Sequence, residues 1–148
     1  MYLPKRYFSS LSQTKRRQRK KELTRRAKLS WKDPKAYRPF KTDEGVRTRS
    51  SKYVLDWKRR FPEAKSIEDA AKVTGVPKPL LRESYNRGLA AWRTGHRPGA
   101  TKEQWGIARY RSMLLCGKTH YTTDSDLVRK AKKTLKGKKW FNKTCKHS

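Results

Sequence analysis

IEDAAKVTGVPKPLLRESYNRG, residues 67–88, is the stretch on which the fold turns. Ser66 followed three residues later by Asp69 is a helix N-terminal capping pattern. Ile67, Ala70, Ala71 and Val73 then form an apolar stripe that stops at Gly75, a residue suited to a helix C-terminus. Pro79 fits the first turn of a second helix, whose Leu81, Tyr85, Leu89 and Trp92 share one face until Gly95. The spacing predicts a pair of helices joined at a tight turn. Ala71 lets them approach closely and Gly75 permits the turn.

This pattern is similar to a DNA-binding helix-turn-helix, which would leave Lys78, Arg82, Asn86 and Arg87 facing a groove. Thr74 and Ser84 occupy positions where such a motif expects apolar residues, and Pro77 with Pro79 constrains the leading end of the reading helix. A helical hairpin that only packs is the competing reading.

Outward from the hairpin the helical period continues. Tyr53, Val54, Trp57 and Phe61 share a face before Pro62, and Thr101 with Gln104 is a capping box ahead of Trp105, Ala108, Leu114 and Leu115. Gly117 ends that helix. Asp124 is placed to cap another, carrying Leu127, Val128, Ala131 and Leu135. No stretch alternates like a strand, so the expected class is all-α: a small bundle of about four or five short helices with extended basic N-terminal and C-terminal arms. Residues 1–50 are expected to be a basic arm (a helix plus an extended connector), 51–128 the helical core domain, and 129–148 a basic tail.

Charge sets the function class. The chain has 148 residues, with 41 Lys and Arg against 12 Asp and Glu, a formal net charge of +29. The cations concentrate in the arms: residues 1–65 hold 22 Lys and Arg with 6 acids, 66–128 hold 10 with 6, and 129–148 hold 9 with none. A polyanion or an acidic surface is the implied partner. Only 33% of residues are hydrophobic, which leaves material for one small core. No apolar run approaches the roughly 18 residues of a membrane helix.

Residues 9–30, with Ser9 and Ser12 as caps and KRRQRKK at 15–21, read as a helix that forms on a partner. Arg16, Arg17, Arg19, Lys20 and Lys21 are its anion contacts. A nuclear-localisation tract and a mitochondrial transit peptide are alternative readings of the same segment. Residues 31–50 carry Pro34, Pro39 and Gly45 among Trp31, Tyr37 and Phe40, and read as a connector draping aromatics over another surface. Trp140 and Phe141 are also assigned to a partner, whereas Tyr53, Trp57, Tyr85, Trp92 and Trp105 belong to the core. The loop WRTGHRPGAT, residues 92–101, brings Arg93, His96 and Arg97 to a helix N-terminus and suits a phosphate or carboxylate.

Catalytic signals are weak. Cys116, His120 and Asp124 lie four apart but straddle Gly117, and a buried inert Cys beside a surface His is the plainer reading. Cys145 and His147 joined to Cys116 and His120 would make four zinc ligands, without the paired spacing of structural zinc sites. Two cysteines with no framework imply a reducing compartment. The expectation is no enzyme, no cofactor and no small-molecule substrate.

Three stretches carry a resemblance: WKDPKAYRPF at 31–40, RGLAAWRTGHRPGATKEQWGIAR at 87–109 and GKTHYTTDSDLV at 117–128. Over residues 28–130 the chain resembles a family of small basic proteins of unknown function encoded by large (nucleocytoplasmic) DNA viruses of algae and protists. The resemblance implies a virion component made in the host cytoplasm or nucleus: a minor capsid protein of the capsid interior whose partners are capsid proteins; it leaves open whether Arg93 and Arg97 face acidic protein side chains or packaged DNA. A DNA-binding or packaging protein and a ribosomal protein remain as alternatives.

Overall fold

The computed structural model describes residues 3–145. Among them are no strands and eight α-helices: α1 (Gln13–Ala27), α2 (Lys52–Arg60), α3 (Ile67–Thr74), α4 (Lys78–Trp92), α5 (Lys102–Leu114), α6 (Lys118–Tyr121), α7 (Ser125–Ala131) and α8 (Leu135–Thr144). Short 3-10 turns at Lys5–Phe8, Pro34–Tyr37 and Lys41–Asp43 complete the order. The class is all-α as expected, with more helices than the four or five read from the sequence. The chain forms two compact units that do not follow an arm, core and tail order. The first joins Met1–Arg49 to Leu89–Trp105; the second joins Ser50–Gly88 to Gly106–Ser148.

In the first unit, the Ser12 hydroxyl caps α1 by accepting from the Lys15 N–H at 3.3 Å. Arg19 and Leu23, one turn apart, are the buried residues of α1. Leu23, Phe40 and Trp92 form the core, with Leu3, Tyr7, Phe8, Tyr37 and Trp105 packed around them. Phe40, expected to face a partner, is fully buried and meets Trp92 edge-on at 5.2 Å. Residues 31–43 are therefore no loose connector: they fold back as two 3-10 turns because α1 alone has too little apolar surface to close a core.

The second unit is built around Trp57, whose indole N–H donates to the Ala64 carbonyl at 2.8 Å. The predicted hairpin is present as α3 and α4. Gly75 joins them at φ 75°, and a Cβ there would lie 2.4 Å from the Cβ of Lys136, so glycine is what lets α8 approach the turn. Both polar intruders are satisfied: the Thr74 hydroxyl donates to the Ala70 carbonyl at 2.8 Å, and the Ser84 hydroxyl to Asp124 at 2.6 Å. Residues 129–145, part of the stretch 129–148 expected as a basic tail, supply the end of α7 and all of α8. Phe141 is fully buried, and half-buried Trp140 donates to the Leu114 carbonyl at 3.0 Å, so both aromatics assigned to a partner complete this core. Leu135, placed on an apolar stripe by the sequence, is 76% exposed.

Cys116 and Cys145 form a disulfide across 29 residues, correcting the expectation of two unpaired thiols. His120 is buried rather than superficial and sits with Nδ1 3.1 Å from the Met113 carbonyl. Burial holds its pKa below the usual histidine value, against the opposing pull of that carbonyl. Both sulfurs are consumed by the bond, which removes the nucleophile and zinc readings of Cys116; His147 lies outside the described residues. A cross-link of this span is worth about 3 to 4 kcal/mol through the unfolded chain. Cys145→Ser, or reduction by dithiothreitol, should lower the urea midpoint accordingly; an unchanged midpoint would show that the link contributes nothing.

Candidate polyanion-binding surface

Glu22 and Asp43 of the first unit are spent on its own fold. The fully buried Arg19 guanidinium donates to Thr42 Oγ1 and Asp43 Oδ1, both at 2.8 Å, to the His96 carbonyl at 2.7 Å, and to the Tyr7 carbonyl. His96, also fully buried, stacks on Trp92 with ring centroids 4.4 Å apart. Its Nδ1 faces the Trp92 carbonyl at 2.8 Å and its Nε2 faces Asp43 Oδ2 at 2.7 Å, so both nitrogens are bonded when both carry a hydrogen. The Gly99 N–H donates to Asp43 Oδ1 at 2.9 Å, and at φ 88° a Cβ on Gly99 would fall 2.3 Å from the Val46 carbonyl oxygen. Burial pulls the Arg19 pKa down while Asp43 resists. Burial pushes the Asp43 carboxyl up, but the hydrogen bond and charge of His96, the Gly99 N–H and Arg19 together hold it below the usual carboxylate range.

Arg19 and His96, both read as partner-binding, are thus internal braces. Arg93 is half-buried, donating to the Leu29 carbonyl at 3.3 Å while its Nε has no partner. Of the predicted loop trio only Arg97 is exposed.

The second unit has a similar hub. Asp124 does not cap α7 with its side chain; it is fully buried and accepts from Ser84, from Arg109 at 3.0 Å and from Arg87 at 3.3 Å. Arg87 also grips Asp126 at 2.8 Å and Glu83 at 3.2 Å. The Asp126 hydrogen bond is the main reason that the Arg87 pKa is raised, and the same contact lowers that of Asp126. Arg87 is therefore not free to face a groove. Lys78 and Arg82 lie 2.7 and 3.6 Å from Glu68 in exposed pairs of little strength, and Asn86 is exposed.

Many unpaired cations remain outward. On α1, Arg16, Arg17, Lys20, Lys21 and Arg25 are exposed and form no ion pair among the described residues. The first four of these belong to the predicted anion-binding set. In the second unit Arg129, Lys130, Lys133, Lys136, Lys138, Lys139 and Lys143 are likewise exposed, in a segment without acids. The sequence reading did not single out Arg25, Arg38 and Lys41, which with Lys21 rim a cleft of about 300 Å³ against α1. Nothing local in the sequence foretells that cleft, because it exists only once residues 38–41 fold back on the helix.

These features define a basic, all-helical protein in which Asp43 and Asp124 are turned to internal arginines and many unpaired cations face outward. The chain belongs to DUF5824, a family of unknown function whose model matches residues 4–137. No curated protein and no solved structure matches it. No helix among the described residues is long and apolar enough to cross a membrane.

Proposed function

We propose that the protein is a non-enzymatic structural component of a large particle, a minor capsid protein of a large DNA virus, that docks on polyanionic surfaces through α1 and the α7–α8 segment. The observation that carries this reading is the sorting of charge. Asp43 and the buried Asp124 neutralise internal arginines, while the exposed cations of α1 and of residues 129–143 form no ion pair among the described residues. Desolvated ion pairs hold the fold; unpaired exposed cations await opposite charge. The likeness of residues 31–40, 87–109 and 117–128 to viral basic proteins supports the particle. Binding and packaging of DNA is the second reading, favoured by the same exposed cations; the hairpin supports it less, since Arg87 is locked to Asp126 and α8 packs on the turn.

Two measurements test this. Binding to a polyanion should weaken steeply with salt, the logarithm of affinity for duplex DNA falling by about 0.9 per phosphate neutralised for each unit of log salt. A slope near zero on both duplex DNA and polyglutamate would end the polyanion reading. Purified particles should retain the protein on gentle disruption that spares the shell; its loss with the soluble contents would count against a capsid role.

A further inference from the structure

The cleft beside α1 has a prebuilt floor. Arg26 donates to the carbonyls of Ala36 at 3.0 Å, Pro39 at 3.2 Å and Arg38, and lies 4.1 Å over the Phe40 ring. Glu22 accepts from the Lys41 N–H at 2.9 Å and the Thr42 hydroxyl at 2.7 Å. One cation and one anion are thereby spent on holding residues 36–42 against the helix, and their charges offset each other. Lys21, Arg25, Arg38 and Lys41 stand at the rim, all exposed and none in an ion pair among the described residues. Four unmatched cations around so small a volume suit phosphate oxygens.

Trp31, on the loop that runs from α1 to this segment, is 57% exposed. The loop is pinned: the Tyr37 hydroxyl donates to the Trp31 carbonyl at 2.5 Å, the Asp33 N–H to the Ser30 carbonyl at 3.0 Å, and Arg93 to the Leu29 carbonyl at 3.3 Å. Lys32 lies 5.2 Å from the indole centroid. An indole held in water on an ordered loop, next in the chain to a cationic cleft, is a surface for a flat π-system. Cations that track a backbone and an aromatic ring that receives a base are the two elements of single-strand recognition. A duplex hides its base faces, and an acidic protein surface would leave the indole unused.

We propose that this cleft and Trp31 bind single-stranded nucleic acid, with backbone phosphates among Lys21, Arg25, Arg38 and Lys41 and one base stacked on Trp31. The inference rests on the polyanion reading and names the partner of one of its surfaces. The test uses the full chain, a fluorescein-labelled oligothymidylate and inorganic polyphosphate, with circular dichroism confirming that each variant folds. Trp31→Ala should weaken oligothymidylate binding roughly five- to hundredfold, the range for one base stacked on an aromatic ring. It should leave polyphosphate binding within about twofold, since the cations that attract it remain. Arg25→Glu with Arg38→Glu should weaken both ligands at least about tenfold and flatten the salt slope. Equal loss of both ligands in Trp31→Ala, or no loss of either, overturns the stacking role. If Lys138→Glu with Lys139→Glu abolishes oligothymidylate binding while the cleft variants retain it, the cleft is the wrong site and the polyanion reading survives. If the wild-type chain binds neither ligand at low salt, both fall.

Discussion

Asp43→Ala should lower the stability of the protein to urea by about 3 to 5 kcal/mol, because it strands a buried guanidinium without its counter-charge. Arg19 has no exposed surface and cannot turn to water for compensation. The same change removes an acceptor of the His96 ring and of the Gly99 N–H, so the loop from residue 92 to 101 should loosen as well. A loss below about 1 kcal/mol, the scale of an exposed pair, would show that the network is not what holds this unit. Acid gives an independent reading of the same contact. A carboxylate held below its ordinary value stabilises the fold above about pH 4 and loses that contribution as pH falls through its folded value. Wild type should weaken on acidification below about pH 4, and Asp43→Asn should lose the share of that limb that Asp43 contributes. Asp126, also lowered, acts in the same direction, and His120, held low by burial, weakens the fold starting higher, near pH 6.5. Neither is altered in the variant, so the difference between the two curves isolates Asp43.

Asp124→Ala should be comparably damaging, about 3 to 5 kcal/mol, through a different unit. It leaves Arg109 without an ion-pair partner among the described residues and the buried Ser84 hydroxyl without an acceptor. Arg87 keeps Asp126 and Glu83, so Arg87→Ala should cost less than Asp124→Ala. If the Arg87 variant proves the worse, the central role given to Asp124 is wrong. Thermal melts of the two variants and the wild type decide this.

Local signals carried well from sequence to structure. The capping box at Thr101 and Gln104 forms in both directions, at 2.9 and 3.1 Å, and Ser66 accepts from the Asp69 N–H at 3.1 Å. Such bonds join residues three apart and depend on little else. The buried hubs were not legible for the opposite reason. Arg19 and Asp43 lie 24 residues apart, and Asp43 and His96 lie 53 apart. In a run such as KRRQRKK, nothing marks one arginine as internal until the inward face of α1 is known.

Phe40 and Phe141 fall on no apolar stripe legible in the sequence, which leaves them for a partner in a chain this basic. In the fold the guanidinium of Arg26 covers Phe40, showing that a basic neighbourhood does not imply an exposed ring. A helical period does mark α8: Gly137 and Phe141, its buried positions, lie four residues apart, with buried Cys145 four further on at its C-terminal cap. Asp124 was legible as an acid before a helix, but its burial depends on Arg109 arriving from α5.

Because Trp92 and His96 belong with the first 49 residues, the early part of the chain has no core of its own to close when it leaves the ribosome. The second unit waits longer still, for Phe141 and Cys145 near the other terminus. Synthesis that halts before residue 89 therefore releases a polypeptide with neither half complete, its Arg- and Lys-rich leading segment open to any nearby polyanion while folding is still pending.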